Sequence, residues 1–111
     1  MPDLGNGVYV SRVDSDEFEP DDDAGGHVHM LFDDHGAMAG IWKPEAGLKR
    51  EYRLGEAPAR ETVVVLSGSA RIDIQDGPTL DLSAGDIASL PKGAVATWYP
   101  SVDFKKVWVY S

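Results

Sequence analysis

The chain has 111 residues, a length that corresponds to one domain and excludes a two-domain enzyme with a cleft between its domains. Because it has no cysteine, disulfides, thiolate zinc sites, iron–sulfur clusters and a cysteine nucleophile are excluded. The formal charge of −9 arises in the first 35 residues, which carry ten acids and one base, whereas residues 36–111 carry nine of each. Without clustered Lys and Arg we expect no nucleic-acid surface.

No stretch approaches 18 consecutive apolar residues, and the first residues lack a basic segment followed by an apolar run. This pattern predicts neither a membrane span nor a signal peptide. We therefore expect a soluble, cytoplasmic protein that does not bind membranes.

Residues 1–26 are predicted to form an acidic N-terminal arm with one strand, Val8–Val13. Seven acids follow that strand between Asp14 and Asp23, a run that is typical of a solvated loop. An EF-hand is excluded because the D-x-D-x-D-G loop with a glutamate at its twelfth position is missing.

Residues 27–111 alternate between apolar and polar side chains in short segments separated by turn residues, which predicts an all-β barrel or sandwich. Turn signals include Asp34-His35-Gly36, Gly68, Asp76-Gly77 and Gly85, where glycine supplies a positive φ. The predicted strands are His27–Asp33, Ala37–Pro44, Leu48–Leu54, Glu61–Ser67, Ser69–Gln75, Thr79–Leu82, Ile87–Leu90, Val95–Tyr99 and Val102–Tyr110.

Two spacings in the second half resemble the conserved motifs of the cupin superfamily. They are Glu61 followed after six residues by Gly68, and Gly85 followed after five residues by Pro91-x-Gly93. The strand containing Trp98 and the closing F-K-K-x-W segment further resemble small cupins of the ureidoglycine aminohydrolase-like group. The resemblance covers residues 39–110 and implies a double-stranded β-helix, the cupin jelly-roll barrel, with a pocket at one end. It also implies a homodimer, which would solve the edge-strand problem.

The resemblance implies a metal site built from an H-x-H pair, the motif glutamate and a third histidine, and this chain departs from that pattern. Glu61 is present, but Ala96 stands where the third histidine is expected, and residues 47–60 contain no histidine. We therefore expect no cofactor at the usual place. An alternative is a divalent transition metal held by His27 and His29, which share one face of a strand, with Glu61 as a third ligand. Hydrogen-bonded or surface histidines are the other interpretation, and His35 is expected in an exposed turn.

Aromatic side chains are the other candidates for a site. Trp42, Tyr52 and Trp98 fall on segments that line the barrel in related proteins, and aromatic walls with a few polar groups are typical of small-molecule pockets. Simple core packing is the alternative, and it is favoured for Trp42, Phe104 and Trp108.

Glu61 is the candidate catalytic residue, because burial raises the pKa of a carboxyl group unless a cation or hydrogen-bond donors compensate. Arg53, Arg60 or the hydroxyl of a tyrosine such as Tyr52 could instead satisfy it as a structural group.

Three functional hypotheses remain open. The first is a metal-free barrel that binds a small organic molecule around Trp42, Tyr52, Glu61 and Trp98. The second is a metal-dependent lyase, isomerase or hydrolase that uses His27, His29 and Glu61. The third is a non-catalytic, dimeric interaction module. Fold alone does not decide among them, so the sequence leaves open whether the protein is an enzyme.

Overall fold

A computed structural model describes residues 5–34, 36–45 and 51–111 of the chain. Ten strands form two antiparallel sheets, with the orders β1-β2-β3-β10-β5-β8 and β4-β9-β6-β7. The strands are β1 (Glu19–Pro20), β2 (His27–Asp34), β3 (Ala37–Lys43), β4 (Tyr52–Leu54), β5 (Glu61–Ser67), β6 (Ser69–Ile74), β7 (Thr79–Ser83), β8 (Ile87–Leu90), β9 (Ala96–Pro100) and β10 (Lys105–Tyr110). None of these described segments is a helix that could cross a membrane.

The two sheets confirm the predicted all-β class. Each of the nine strands predicted after residue 26 is found, with ends that differ by at most three residues where the structure describes them. Positions 48–50 of the predicted third strand, and His35 in the predicted turn, lie outside the described residues. Gly36, Gly68, Gly85 and Gly93 all have positive φ angles, as their positions in turns predict.

The predicted strand Val8–Val13 is wrong. The structure has no ladder in this segment, and Val8, Val10 and Val13 are more than half exposed. A strand requires a neighbour for its N–H and C=O groups, and the outer edge of β2 is instead paired with β1. The acidic run therefore contains the strand of the arm and is not a uniform loop.

The core lies between the two sheets, where alternate residues of each strand point inward. Val63 and Val65 on β5, Ile72 on β6 and Trp98 on β9 are at most 1% exposed. Phe104 precedes β10 and is equally buried. The cavity of the candidate site lies in this same interior, and Trp98 belongs both to the core and to the cavity lining.

Candidate functional site

Strand register places two charged residues inside the barrel. On β10, Lys106 and Trp108 are buried and Val107 between them is less so, which marks the inward face of the strand. Tyr110 continues that face and is paired with Glu61, the first residue of β5. Lys106 is paired with Val65, four residues along β5 from Glu61, or about 13 Å at the usual rise per residue. Their side chains must therefore extend toward each other over the sheet to meet.

The two side chains form a buried ion pair. Lys106 Nζ lies 2.9 Å from Glu61 Oε2, and the side chains are 5% and 6% exposed. A bulge between Lys105 and Lys106 interrupts the pairing with β5 next to the lysine, and such irregularities commonly re-aim a side chain near a site. The pair places one donor and one carboxylate on the floor of the barrel.

Aromatic rings surround the lysine ammonium. Its Nζ lies 3.8 Å from the centroid of the Trp98 ring and 5.3 Å from that of Trp42, within the range of cation–π attraction. Trp42 also packs edge-on against Tyr52, with centroids 5.1 Å apart. The Tyr52 hydroxyl accepts a hydrogen bond of 2.6 Å from the Glu45 backbone N–H.

A turn of the arm forms the mouth of the barrel. The Asp21 carboxylate accepts hydrogen bonds from the backbone N–H groups of Asp23 and Ala24, both at 3.0 Å. The Trp42 indole donates to the Gly25 carbonyl at 2.7 Å. A Cβ at Gly25 would lie 2.8 Å from the Tyr52 ring, so the missing side chain lets the turn pack directly on the aromatic wall.

The floor, the rings and the turn enclose a cavity of about 510 Å³, a volume that suits a small organic ligand. All four residues predicted for ligand binding, Trp42, Tyr52, Glu61 and Trp98, line it together with Lys106. Trp98 is 1% exposed, and its Nε1 is a buried donor that has no hydrogen-bond partner among the described residues. Buried donors are rarely left unpaired.

Tyr110 on the cavity wall reports the local electrostatics. Burial, together with the negative charges of Glu61 and Asp21, raises the pKa of its phenol to about 12. The carboxylates at the floor and the mouth therefore both act on the interior.

Comparison with known proteins decides the family. The sequence profile of the EutQ-like cupin domain matches residues 33–108. The chain belongs to the EutQ-like cupin domain family. No curated protein sequence matches this cupin.

Solved structures support the same fold for the EutQ-like cupin. A putative ethanolamine utilization protein Q from Salmonella typhimurium is similar, with a TM-score of 0.67, 20% identity, and coverage of 84% of this chain and 76% of that one. A cupin-2 domain-containing protein from Shewanella frigidimarina is similar with a TM-score of 0.58 and 18% identity, and the match covers 74% of this chain and 76% of that one. A conserved protein of unknown function from Streptococcus pyogenes is similar with a TM-score of 0.63 and 24% identity, and the match covers 75% of this chain and 70% of that one. At these identities the likeness shows the fold, which is the predicted jelly-roll barrel.

The structure does not bring the histidines of this cupin to Glu61. Val28 and Met30, which alternate with the histidines along β2, line the cavity, so His27 and His29 lie on the opposite face of the sheet. Both ring nitrogens of His29 are engaged, Nε2 with Ser11 Oγ at 2.6 Å and Nδ1 with the Glu17 carbonyl at 2.7 Å. The predicted ligand set of His27, His29 and Glu61 is therefore not assembled here.

The residues around Glu61 do not fit the metal implied by the family pattern. Lys106 occupies the side of the carboxylate where a cation would bind, and Ala96 on β9 has no ligand atom. Within the described ranges no group of three His, Asp or Glu side chains could hold an ion, and a transition metal needs three or four ligands.

Sequence reasoning missed Lys106 as the partner of Glu61. Arg53 instead donates to Gln75 and Arg60 to Ser89. The signal was available, because Trp108 was expected in the core and Lys106 lies two residues before it on a strand. A period of two places both side chains on one face.

Proposed function

We propose that the barrel binds a small organic molecule, with the Glu61–Lys106 pair as the polar floor of its pocket. The observation that carries this proposal is the cavity itself, which has aromatic walls and a charged pair at its base. Trp98 Nε1–H, on a residue of the same lining, has no hydrogen-bond partner among the residues that the structure describes. Concave apolar walls with a few placed polar groups are typical of ligand sites.

The ion pair supports ligand binding because it can address either kind of polar group. Glu61 Oε2 accepts a hydrogen bond of 2.9 Å from Lys106 Nζ, and the ammonium has three donors, of which one meets Oε2. A ligand with a hydroxyl, amide or amine group would find a partner at this floor.

A thermal-shift screen with polar metabolites tests the proposal. We expect at least one compound to raise the melting temperature of the protein, because a ligand that binds only the folded state stabilises it. Met30→Trp places a large ring in the cavity wall and should abolish the shift, whereas Ser89→Trp, at an exposed position of β8 outside the cavity lining, should retain it. Stabilisation that survives Met30→Trp, or no stabilising compound, contradicts a site in the barrel.

We also propose the narrower relationship to the ureidoglycine aminohydrolase-like cupins. Its support is the strand that contains Trp98 and the F-K-K-x-W segment, which supply Trp98 and Lys106 to the cavity. A phylogeny built from many related sequences tests it, and a position of this chain outside that group would contradict it.

A further inference from the structure

The charge of the cavity lining selects among possible ligands. Of the described residues that line the cavity, six are acids and one is a lysine, which leaves a formal charge of −5. The acids are Glu19, Asp21, Asp22, Asp23, Asp33 and Glu61. Since Glu61 is paired with Lys106, the negative charge of the lining comes from the other five carboxylates. Four of them belong to the arm and the fifth, Asp33, to β2.

These carboxylates act on whatever enters the barrel. A cleft lined by one sign of charge with walls of low dielectric concentrates ions of the opposite sign. A ligand with a carboxylate or phosphate would have to pass Asp22 and Asp23 and would meet only an ammonium that is already neutralised by Glu61. The lining therefore favours a cation and disfavours an anion.

The aromatic walls point to the same sign. The faces of Trp and Tyr rings attract cations, more strongly where water is excluded. The protein already uses this property, because the Lys106 ammonium lies 3.8 Å from the Trp98 centroid beside a carboxylate. Trp108 and Tyr110 also line the cavity, and they extend the aromatic surface from the ion pair toward the mouth.

Trp98 Nε1 adds an independent requirement. This donor belongs to a side chain that is 1% exposed and lines the cavity, and it has no acceptor within the described part of the chain. An indole N–H can only donate, so a ligand that satisfies it must bring an acceptor. Trp42, another tryptophan of the cavity, already donates its indole N–H to the Gly25 carbonyl.

We propose that the ligand of the barrel is a small organic cation, an ammonium compound that also carries a hydrogen-bond acceptor for Trp98 Nε1. This inference rests on the proposed function and narrows it to one class of ligand. The positive group lies among the rings and the carboxylates of the mouth, and the acceptor reaches the Trp98 indole.

A matched series of probes separates charge from shape. The series consists of 3-methoxypropylammonium, neutral 3-methoxypropanol and anionic 3-methoxypropionate, with pentylammonium as the cation in which a methylene replaces the ether oxygen. All three tryptophans of the chain line the cavity, so the three indole N–H signals of a ¹H–¹⁵N spectrum report on the site, and Trp98→Phe identifies the signal of Trp98.

We expect 3-methoxypropylammonium to bind saturably, to shift the Trp98 indole signal, and to bind more tightly than pentylammonium. Its affinity should fall about tenfold when the ionic strength is raised from about 0.01 M to about 0.3 M, because salt screens the carboxylates. The variant Asp22→Asn/Asp23→Asn should bind several-fold more weakly. Asp16→Asn/Asp81→Asn changes the net charge equally at positions outside the cavity lining and should bind as the wild type does.

The outcomes distinguish this inference from the proposed function. If the neutral or the anionic probe shifts the indole signals at least as strongly as the cation, the ligand class is wrong and the binding site remains supported. If the two double variants bind equally, the carboxylates of the mouth do not select the ligand and the inference fails. If no probe shifts an indole signal, the inference fails, and the metabolite screen then decides on the proposed function by itself.

Discussion

Lys106 and Glu61 share one hydrogen bond of 2.9 Å, and the side chains of both are buried. Taking an ammonium and a carboxylate out of water is unfavourable, and each offsets this cost for the other only while both are present. The pair therefore allows two charged groups to lie inside an aromatic barrel. A buried ion pair does not by itself imply a gain in net stability over apolar side chains of the same size.

Removing one partner of this pair should destabilise the fold strongly. We expect Lys106→Met to lower the free energy of unfolding by about 3–5 kcal/mol, because it leaves a buried carboxylate unpaired. The double variant Glu61→Leu/Lys106→Met should recover most of that loss. Urea denaturation measures both.

An exposed pair supplies the control for this comparison. Arg71 and Asp73 are 3.2 Å apart with side chains 52% and 39% exposed, so Asp73→Asn should change stability by about 0–1 kcal/mol. Equal effects of Lys106→Met and Asp73→Asn would contradict the buried character of the Glu61–Lys106 pair.

Tyr110 gives the cavity a signature at alkaline pH. Its pKa is raised to about 12 in the folded state by burial and by the charges of Glu61 and Asp21, whereas in the unfolded chain it lies near 10. The stabilisation is thus complete below about pH 10 and is lost as the pH rises toward 12, because the unfolded state releases its proton first.

Unfolding by urea at several pH values tests this linkage. Between about pH 9 and about pH 11 the wild type should lose stability more steeply than Tyr110→Phe, which cannot ionise at this position. In Glu61→Gln the absorbance change of tyrosinate should begin at lower pH than in the wild type, since one of the raising charges is gone. Identical slopes for the wild type and Tyr110→Phe would refute the assignment.

At the level of residues, the sequence predicted Trp42, Tyr52, Glu61 and Trp98 as cavity residues, but it favoured simple core packing for Trp42 and Trp108 and did not name Tyr110, and all three also line the cavity. It did not predict the partner of Glu61, since the choice among five lysines and five arginines depends on which strand lies beside β5. That neighbour is β10, from the other end of the predicted barrel. Pairing between strands that are distant in the sequence cannot be read from either strand alone. The sequence shows only which residues of a strand share a face, through the two-residue period.

Among the elements, the turn that carries the chain from β5 in one sheet to β6 in the other depends on Gly68. Its φ is +69°, and a Cβ there would lie 2.5 Å from Ser101 Oγ and 2.7 Å from the Phe104 backbone nitrogen. Gly93 also has a positive φ, but a Cβ there would meet nothing within 4 Å. A substitution at Gly93 therefore tests the strain of the backbone conformation alone, and a substitution at Gly68 tests that strain together with steric overlap.

Alanine at these two glycines should therefore have unequal effects. We expect Gly93→Ala to cost about 1–2 kcal/mol from the backbone conformation alone. Gly68→Ala should cost about 1–3 kcal/mol more, because the turn must shift away from Ser101 and Phe104. Midpoints of urea unfolding compare the variants, and similar midpoints would show that the 101–104 turn yields without resistance.

The elements of the barrel were predictable because turn residues and alternation are local signals. The arm was not, because its conformation is decided by a competition for the edge of β2. The alternating segment Val8–Val13 has the pattern of a strand, yet Glu19–Pro20 takes the edge, and no property of either segment by itself reveals this outcome.

For the whole molecule, the arm connects the outer face of the larger sheet with the mouth of the cavity. His29, 5% exposed on the outer face, binds Ser11 and the Glu17 carbonyl, while the next residues, Glu19–Ala24, line the cavity. Tyr9 adds a stacked contact with Phe32 at 6.2 Å.

Ser11→Ala should loosen the first part of the arm. Removal of the hydroxyl leaves His29 Nε2 without its partner, a loss of about 1–3 kcal/mol for a buried group. We expect faster hydrogen exchange at the amides of residues 8–17 with unchanged exchange in β5 and β10. Ser89→Ala, on β8, serves as the control and should leave the arm unchanged; equal protection in both variants would contradict an anchor at His29.

The homodimer stays a prediction, as does the cytoplasmic location. Among the described strands, β1 and β8 are the edges of one sheet and β4 and β7 the edges of the other, each paired on one side only. Such edges favour association with another copy. Sedimentation velocity should give twice the mass of one chain, and a monomer mass across micromolar concentrations would contradict the prediction.

The path of the arm couples the outside of this molecule to its interior. Because one short segment touches both His29 and the acidic mouth, any compound that contacts Asp22 or Asp23 more strongly when the arm is seated will also tighten its attachment on the far surface. Thermodynamic linkage makes the effect mutual. A change that strengthens or weakens the contacts of Ser11 and its neighbours would change the affinity of such a compound for the barrel by the same factor. If the barrel binds the proposed ligand, its binding is therefore coupled to the attachment of the arm at His29, on the opposite face of the larger sheet.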